Sequence, residues 1–262
     1  MRRLLIGAVG ALLCGGTLRA QQSAAVIKGM PLDAKPVFEV ATIRPTDPAT
    51  KGDNIAIQGR HFVLTNKTVR DMTTFAYGLQ AQQVQGGPEW FSSDKYDVDG
   101  TPDVEGQPNR IQMQAMIQEL LTDRFGLVSH REKKEMGVYA ITVLKTGQKM
   151  TKSVGDPSAL PNQRGHRDTN GRVDEYSNVT MGDFAFILQF FLDKPVVDQT
   201  GLKGKFDFVL KWTPDDANVA DPTTASPGMF TAVAEELGLK LEAVRAATDV
   251  LVVDKVQRPS EN

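Results

Sequence analysis

Three observations predict an α+β fold made of two diverged copies of one module. Apolar residues recur with helical spacing in some segments and alternate like strands in others. Caps, turns and helix stops punctuate those segments at matching places. The sequence also matches itself when slid by 112 residues.

At that shift Gly59-Arg60 falls on Gly171-Arg172, and Asn66, Thr68 and Asp71 fall on Asn178, Thr180 and Asp183. Val84 falls on Val196, Thr101-Pro102-Asp103 on Thr213-Pro214-Asp215, Gly126-Leu127 on Gly238-Leu239, and Val138 on Val250. Twelve of the 86 pairs between residues 59–144 and 171–256 are identical, against about five from chance pairing. The matches sit at structural punctuation, which argues for a repeated folding unit.

The elements follow in order. Residues 38–43 and 55–64 carry strand signals ahead of the first copy. Thr68-Val-Arg-Asp71 and Thr180-Met-Gly-Asp183 each place a hydroxyl at a helix N-cap with a carboxylate three residues on, an aspartate version of the capping box. Val69, Met72, Ala76 and Leu79 then form one apolar face, whereas residues 184–192 are apolar nearly all round and are expected to be more deeply buried. Strands come next at residues 95–98 and 205–210, aligning better with a two-residue slip, and a Thr-Pro-Asp turn follows each. Asp97 and Asp207 alternate with aromatics on these strands and are expected to face solvent.

A second helix carries Met113, Met116, Ile117, Leu120, Leu121 and Phe125 along one side and stops at Gly126. Its counterpart is expected to open at Ser226-Pro227 and stop at Gly238. Two strands complete each copy, at 127–130 with 138–144 and at 239–242 with 250–253. The charged run His130-Arg131-Glu132-Lys133-Lys134-Glu135 reads as a solvated turn between the first pair. The module is thus strand, helix, strand, helix, strand, strand, with helices packed on one face of a sheet.

The organisation read from these signals is a signal peptide at 1–20, an extended lead-in at 21–37, module 1 at 38–145, a polar connector at 146–170, module 2 at 171–257, and a tail at 258–262. Arg2 and Arg3 precede an uncharged apolar stretch from Leu4 to Leu18, with Ala20 as the cleavage residue. Leu18 fits the small-x-small rule of that cleavage only loosely; the alternatives are a retained anchor and lipidation at Cys14, where Leu13 stands in place of the small residue expected. Cys14 is the single cysteine, so the processed chain would have no disulfide and no thiolate site. Loss of Arg2, Arg3 and Arg19 would leave 27 basic against 32 acidic side chains, a balance that argues against broad nucleic-acid binding. The expectation is an exported periplasmic or extracellular protein with no membrane span after cleavage.

Several motifs in order resemble those of a large family of exported proteins of unknown function expanded in soil Acidobacteria. They are Phe38-Glu-Val-Ala-Thr-Ile-Arg-Pro45, Gly86-Gly-Pro-Glu-Trp90, Leu120-Leu-Thr-Asp-Arg-Phe-Gly-Leu127, Val196-Val-Asp-Gln-Thr-Gly-Leu-Lys-Gly-Lys-Phe-Asp-Phe208 and Leu251-Val-Val-Asp-Lys-Val-Gln-Arg-Pro259. Some relatives are joined to antibiotic-sensor-type membrane peptidases, and the resemblance implies a sensing or regulatory context; it implies no catalytic residues. A capped helix followed by a short strand is also similar to the docking domains at the N-termini of secretins and TonB-dependent receptors.

Catalytic chemistry finds little support. His61, His130 and His166 are the only histidines, and none forms an H-x-x-x-H pair. His130 and Glu135 could meet across the charged turn, and His166 falls in the connector. No G-x-S-x-G elbow occurs, Ser92-Ser93 beside Asp94 forms no triad, and Gly86-Gly87-Pro88 is a tight turn without the ending of a phosphate loop. Asp71 and Asp183 are explained as caps, and Asp215, Asp216 and Asp221 are too sparse for a calcium loop. No catalytic residue, cofactor or metal ligand is assigned. Trp90 and Phe91 are the candidate partner-binding residues, with core packing as their competing role. The expected function is a non-enzymatic binding or sensory module for a protein, peptide or envelope component; the alternatives are a hydrolase with a site between the modules and a structural envelope protein.

Overall fold

The computed structural model describes residues 29–58, 60–155, 159–215 and 223–259. The signal segment 1–20, the first part of the lead-in, and Asp216 and Asp221 lie outside the described residues. The chain is mixed α/β and mostly β, with twelve strands in three four-stranded sheets and five α-helices among the described residues.

The first sheet holds β1 (Phe38–Pro45), β2 (Asn54–Gln58), β3 (His61–Thr68) and β5 (Lys95–Pro102), in the order β1-β5-β3-β2. Another holds β7 (Thr151–Lys152), β8 (Asn162–Asp168), β9 (Gly171–Val179) and β11 (Phe206–Trp212), in the order β7-β11-β9-β8. The middle sheet combines β4 (Val84–Gly86), β6 (Val128–Val143), β10 (Val196–Asp198) and β12 (Leu239–Lys255), in the order β10-β6-β12-β4. The helices are α1 (Val69–Tyr77), α2 (Trp90–Ser93), α3 (Arg110–Phe125), α4 (Met181–Leu188) and α5 (Met229–Leu237). Two strands, β7 and β8, therefore fall inside the segment expected to be a polar connector, and His166 is an exposed residue of β8.

Helix entry follows the local chemistry. The Thr68 and Thr180 hydroxyls accept from the Asp71 and Asp183 amides at 3.0 and 3.1 Å, and each carboxylate accepts from the threonine amide in return. Gly126 and Gly238 close α3 and α5 in the left-handed conformation that glycine adopts without penalty. The start of α5 departs from expectation. Gly228 is its N-cap, because the Pro227 carbonyl accepts from the Thr213 amide at 2.9 Å and keeps Ser226-Pro227 extended beside the end of β11.

Asp97 and Asp207 do not simply face solvent. Asn66 and Asn178 bulge their strands with φ of 59° and 60°, and their amides donate to Asp97 and Asp207 at 3.0 and 2.7 Å. Each carboxylate thus satisfies a backbone donor that the bulge removes from the ladder. The two-residue slip is visible here too, since Leu64 faces Val98 while Tyr176 faces Phe208.

The charged run at 130–135 is not a turn. It lies inside β6, a continuous strand paired antiparallel with β12 from Val143–Leu239 to Val128–Lys255. Its charges find partners that no local pattern reveals: Lys133 meets Asp249 at 3.0 Å, His130 meets Asp254 at 2.9 Å, and Lys134 donates to Gln85 of β4 at 2.7 Å. Cross-strand charge pairs and an unbroken ladder hold this exposed ribbon where apolar burial cannot.

The short strands cross between halves. β4 runs parallel to β12 through Val84–Leu251, and β10 runs parallel to β6 through Val196–Tyr139. Two apolar cores result. One lies among the first sheet, α1 and α3 and takes in Val253 of β12; the other lies among β9, β11, α4 and α5 and takes in Ile141 of β6. Neither half closes its core alone. No described helix is long and apolar enough to cross a membrane.

Candidate ligand groove

The site begins with strand alternation. Arg172, Asp174 and Tyr176 of β9 are two residues apart and share a face with Trp212 of β11. Asp174 has no exposed surface and is the one fully buried acid among the described residues. It accepts from Arg172 Nε and Nη2 at 2.8 Å each, from Trp212 Nε1 at 2.8 Å and from Gln163 Nε2 at 3.0 Å. A buried charge needs such compensation, and four donors supply it. Gly165 faces Asp174 across β8 and β9, and a β-carbon there would collide with both the carboxylate and the Arg172 guanidinium. This glycine is required for space, not for backbone freedom.

Beneath the pair, the Tyr176 ring stacks on Phe208 at 4.7 Å and meets Phe184 edge-on. Burial, reinforced by the negative charge of Asp174, pushes the Tyr176 phenol above its ordinary pKa, and its buried oxygen has no hydrogen-bond partner among the described residues. Arg172 is held in turn above the ordinary guanidinium value by its hydrogen bonds to Asp174. The network is a fixed, charged floor.

Above it opens a groove of about 620 Å³. Its walls come from Phe190, Phe191 and Leu192 after α4, from Thr213 to Asp215 after β11, and from the first turn of α5. Phe191 lies edge-on to Trp212 at 5.0 Å and beneath Arg172 at 5.1 Å. Phe190 and Phe230 stand at the rim, 67% and 43% exposed. The expectation that residues 184–192 are all deeply buried therefore fails at its end. Helix α4 stops at Leu188, so Phe190 and Phe191 lie in the turn beyond it, outside the helical packing face.

The mouth is cationic. Arg167 of β8 sits directly opposite Arg172 of β9, and among the described residues its guanidinium has no ion-pair or hydrogen-bond partner. Asp215 lies at the rim. A smaller cavity of about 250 Å³ between the halves shares Phe190 with the groove and continues over Phe186, Phe75 and Leu79. The turn carrying Phe190 is anchored from the first half, where Gln80 Nε2 donates to the Gln189 and Leu192 carbonyls at 2.9 and 3.1 Å.

The residues singled out from sequence lie elsewhere. Phe91 is fully buried in the first core and offers no surface to a partner. Trp90 is partly buried and covered by Arg258, whose guanidinium lies 5.0 Å above the ring and is fixed by Asp94. Packing accounts for both positions, because α2 is a four-residue turn set against α1 and β3. Ser92 accepts from Arg70 at 2.9 Å. His130 contacts Asp254 and Glu132 instead of Glu135, and these hydrogen bonds, the one to Asp254 first, raise its pKa. His61 pairs with Asp99 at 2.7 Å. No group of three or more metal-ligating side chains is assembled among the described residues.

The groove residues had a faint sequence signal. Residues 184–192 carry more aromatics than an eight-residue helix can bury, and Arg172-x-Asp174 has the two-residue spacing of a strand in a stretch where no strand was expected. Their convergence is long-range.

Fold and site together define a mixed α/β chain with two cores, a shared ribbon and one arginine-lined aromatic groove. Residues 70–256 match the family described as "Protein of unknown function (DUF3738)", and the chain belongs to that family. The match runs from α1 to β12; it takes in the whole second core and leaves β1, β2 and β3 of the first sheet outside it. No curated protein and no solved structure matches the chain.

Proposed function

We propose that the protein is an exported, non-enzymatic binding module that receives a protein, peptide or envelope component in this groove. The observation that carries the reading is the combination of an exposed aromatic rim with a rigid, pre-paid floor. Pre-organised apolar clefts with a few fixed polar groups are the usual form of a binding site, and exposed aromatics beside arginine match the composition of binding hot spots. A hydrolase here would need a carboxylate free to exchange a proton. Asp174 is buried under four donors, which supports binding over catalysis.

The test is recovery of partners from an envelope extract by the full chain and by a Phe190→Ala/Phe230→Ala variant. Trp90→Ala is the control. The reading expects a partner that the double variant loses and the control keeps. Equal recovery by all three would remove the groove from consideration.

We also infer that the two halves are copies of one module. The outer sheets share the same strand order, and β4 and β10 pair across at registers separated by 112 residues. Glu135 faces Ala247, its own counterpart at that offset, so the pairing maps onto itself about that point. An experimental structure in which β4 pairs within its own half would overturn the inference.

A further inference from the structure

We propose that the groove binds the free C-terminal carboxylate of an extended polypeptide whose last side chain is apolar. The proposal rests on the binding reading above and names its ligand. It begins from the charge at the mouth. Arg167 and Arg172 face each other on neighbouring strands, and like charges placed directly opposite are unfavourable. Asp174 neutralises one of them. The Arg167 guanidinium is left without a described acceptor at the mouth of a groove with aromatic walls, and Asp215 stands at the same rim.

A guanidinium offers five N–H donors in a planar fork that fits a carboxylate. Arg172 directs Nε and Nη2 at Asp174, which leaves Nη1 without a described acceptor. The whole fork of Arg167 is similarly open. An anion between the two would relieve their repulsion and receive donors from both. A carboxylate presents two coplanar oxygens to this fork, and Asp215 at the rim disfavours a more highly charged anion such as a phosphate.

The apolar part of the ligand follows from the walls. Trp212 and Phe191 line the groove beside Arg172 and would hold an apolar last side chain. Phe190 then carries the path onward, because it also lines the cavity between the halves. A small free acid would fill the groove and leave that second cavity empty. An extended chain anchored at the arginines and passing over the exposed Phe190 ring would reach both, and this shared ring favours a polypeptide end over a small carboxylic acid.

The experiment uses fluorescein-labelled pentapeptide pools, random at four positions and ending in Leu, Ile, Val or Phe. Each is made as the free acid and as the C-terminal amide. Fluorescence anisotropy is read against the full chain, Arg167→Gln, Phe190→Ala and an Arg245→Gln control. Arg167 is exposed, so its variant should fold, and circular dichroism checks this. The free acids are expected to bind at least about tenfold more tightly than the amides, a difference of about 1.4 kcal/mol. Arg167→Gln should weaken the acids by a similar factor and leave the amides unchanged, while Arg245→Gln changes neither. Phe190→Ala should weaken both forms. Octanoate and 3-phenylpropionate compete as the small-acid arm.

Equal binding of acid and amide overturns the proposal, as does absence of binding, or a small acid competing as well as the unlabelled pentapeptide. If the envelope pull-down still finds a groove-dependent partner, only the carboxylate inference has failed. If it finds none either, the binding reading falls with it.

Discussion

Removing Arg172 should damage the protein more than removing Asp174, although the two belong to one ion pair. Asp174 has no exposed surface, whereas the Arg172 side chain is 24% exposed. Arg172→Ala leaves a buried carboxylate with only Trp212 Nε1 and Gln163 Nε2 as donors. Breaking a buried pair in this way costs about 3–5 kcal/mol. Asp174→Ala leaves a guanidinium that can turn toward the open groove, together with two unsatisfied neutral donors, for a cost of about 1–3 kcal/mol. Urea denaturation followed by tryptophan fluorescence measures both, because Trp212 sits in the network. The paired replacement Arg172→Met/Asp174→Leu should recover most of the lost stability, since apolar substitutes of similar volume replace buried ion pairs at little net cost. If Asp174→Ala proves the more damaging single change, the assignment of the buried charge is wrong.

Three further outcomes are expected. Gly165→Ala should cost about 1–3 kcal/mol by overpacking and should also weaken groove binding, because its β-carbon collides with the Arg172–Asp174 pair; thermal melts and the anisotropy assay read the two effects. Asp97→Ala should cost about 1–3 kcal/mol in urea denaturation by leaving the Asn66 amide without its acceptor. Burial opposes ionisation of Asp97, but the Asn66 amide, Thr46 and Arg44 outweigh it and lower its pKa; its contribution is therefore present above about pH 3.9 and is lost as pH falls through the depressed folded value. His130 should titrate by NMR above about 6.5, the ordinary imidazole value, and Asp254→Asn should bring it back down, since the Asp254 hydrogen bond is the first cause of the shift. Because that pKa is raised on folding, the contribution of His130 is complete below about 6.5 and disappears as pH climbs through the folded value.

What the sequence made legible was local. The capping boxes of Thr68 and Thr180, the stops at Gly126 and Gly238, and the slip between β5 and β11 each depend on a few neighbouring residues. The continuity of β6 was hidden because Lys133 and His130 are paired with Asp249 and Asp254, more than a hundred residues away. A charged run without its partners reads as a loop. The crossing of β4 and β10 was equally hidden, since a three-residue strand carries no period and takes its place only from the long strand beside it. Trp90-Phe91 drew attention as an aromatic dipeptide. The rings that line the groove, Phe190 and Trp212, share no local pattern, and Arg167 meets Arg172 only after β8 and β9 form a hairpin.

The placement of the groove in one half follows from what that half lacks. In the first sheet β1 covers the edge of β5 along its length, from Phe38 opposite Pro102 to Pro45 opposite Tyr96. In the other sheet β7 covers only Phe206 and Asp207, so the Trp212 end of β11 has no such neighbour among the described residues. The floor differs to match. The counterpart of Asp174 at the 112-residue offset is Phe62, a buried ring packed 5.8 Å from Phe38 of that full-length β1. Arg60, the counterpart of Arg172, reaches only the Pro102 carbonyl at 3.4 Å. Where an edge strand closes the sheet, an aromatic ring suffices to fill the space beneath it. Where the strand is cut short, the same place holds a buried carboxylate, an arginine and an indole, a polar arrangement that a chain concerned only with its own stability has little reason to build. Under the proposed duplication, that contrast between positions 112 residues apart supports the proposed role of the groove as a ligand site.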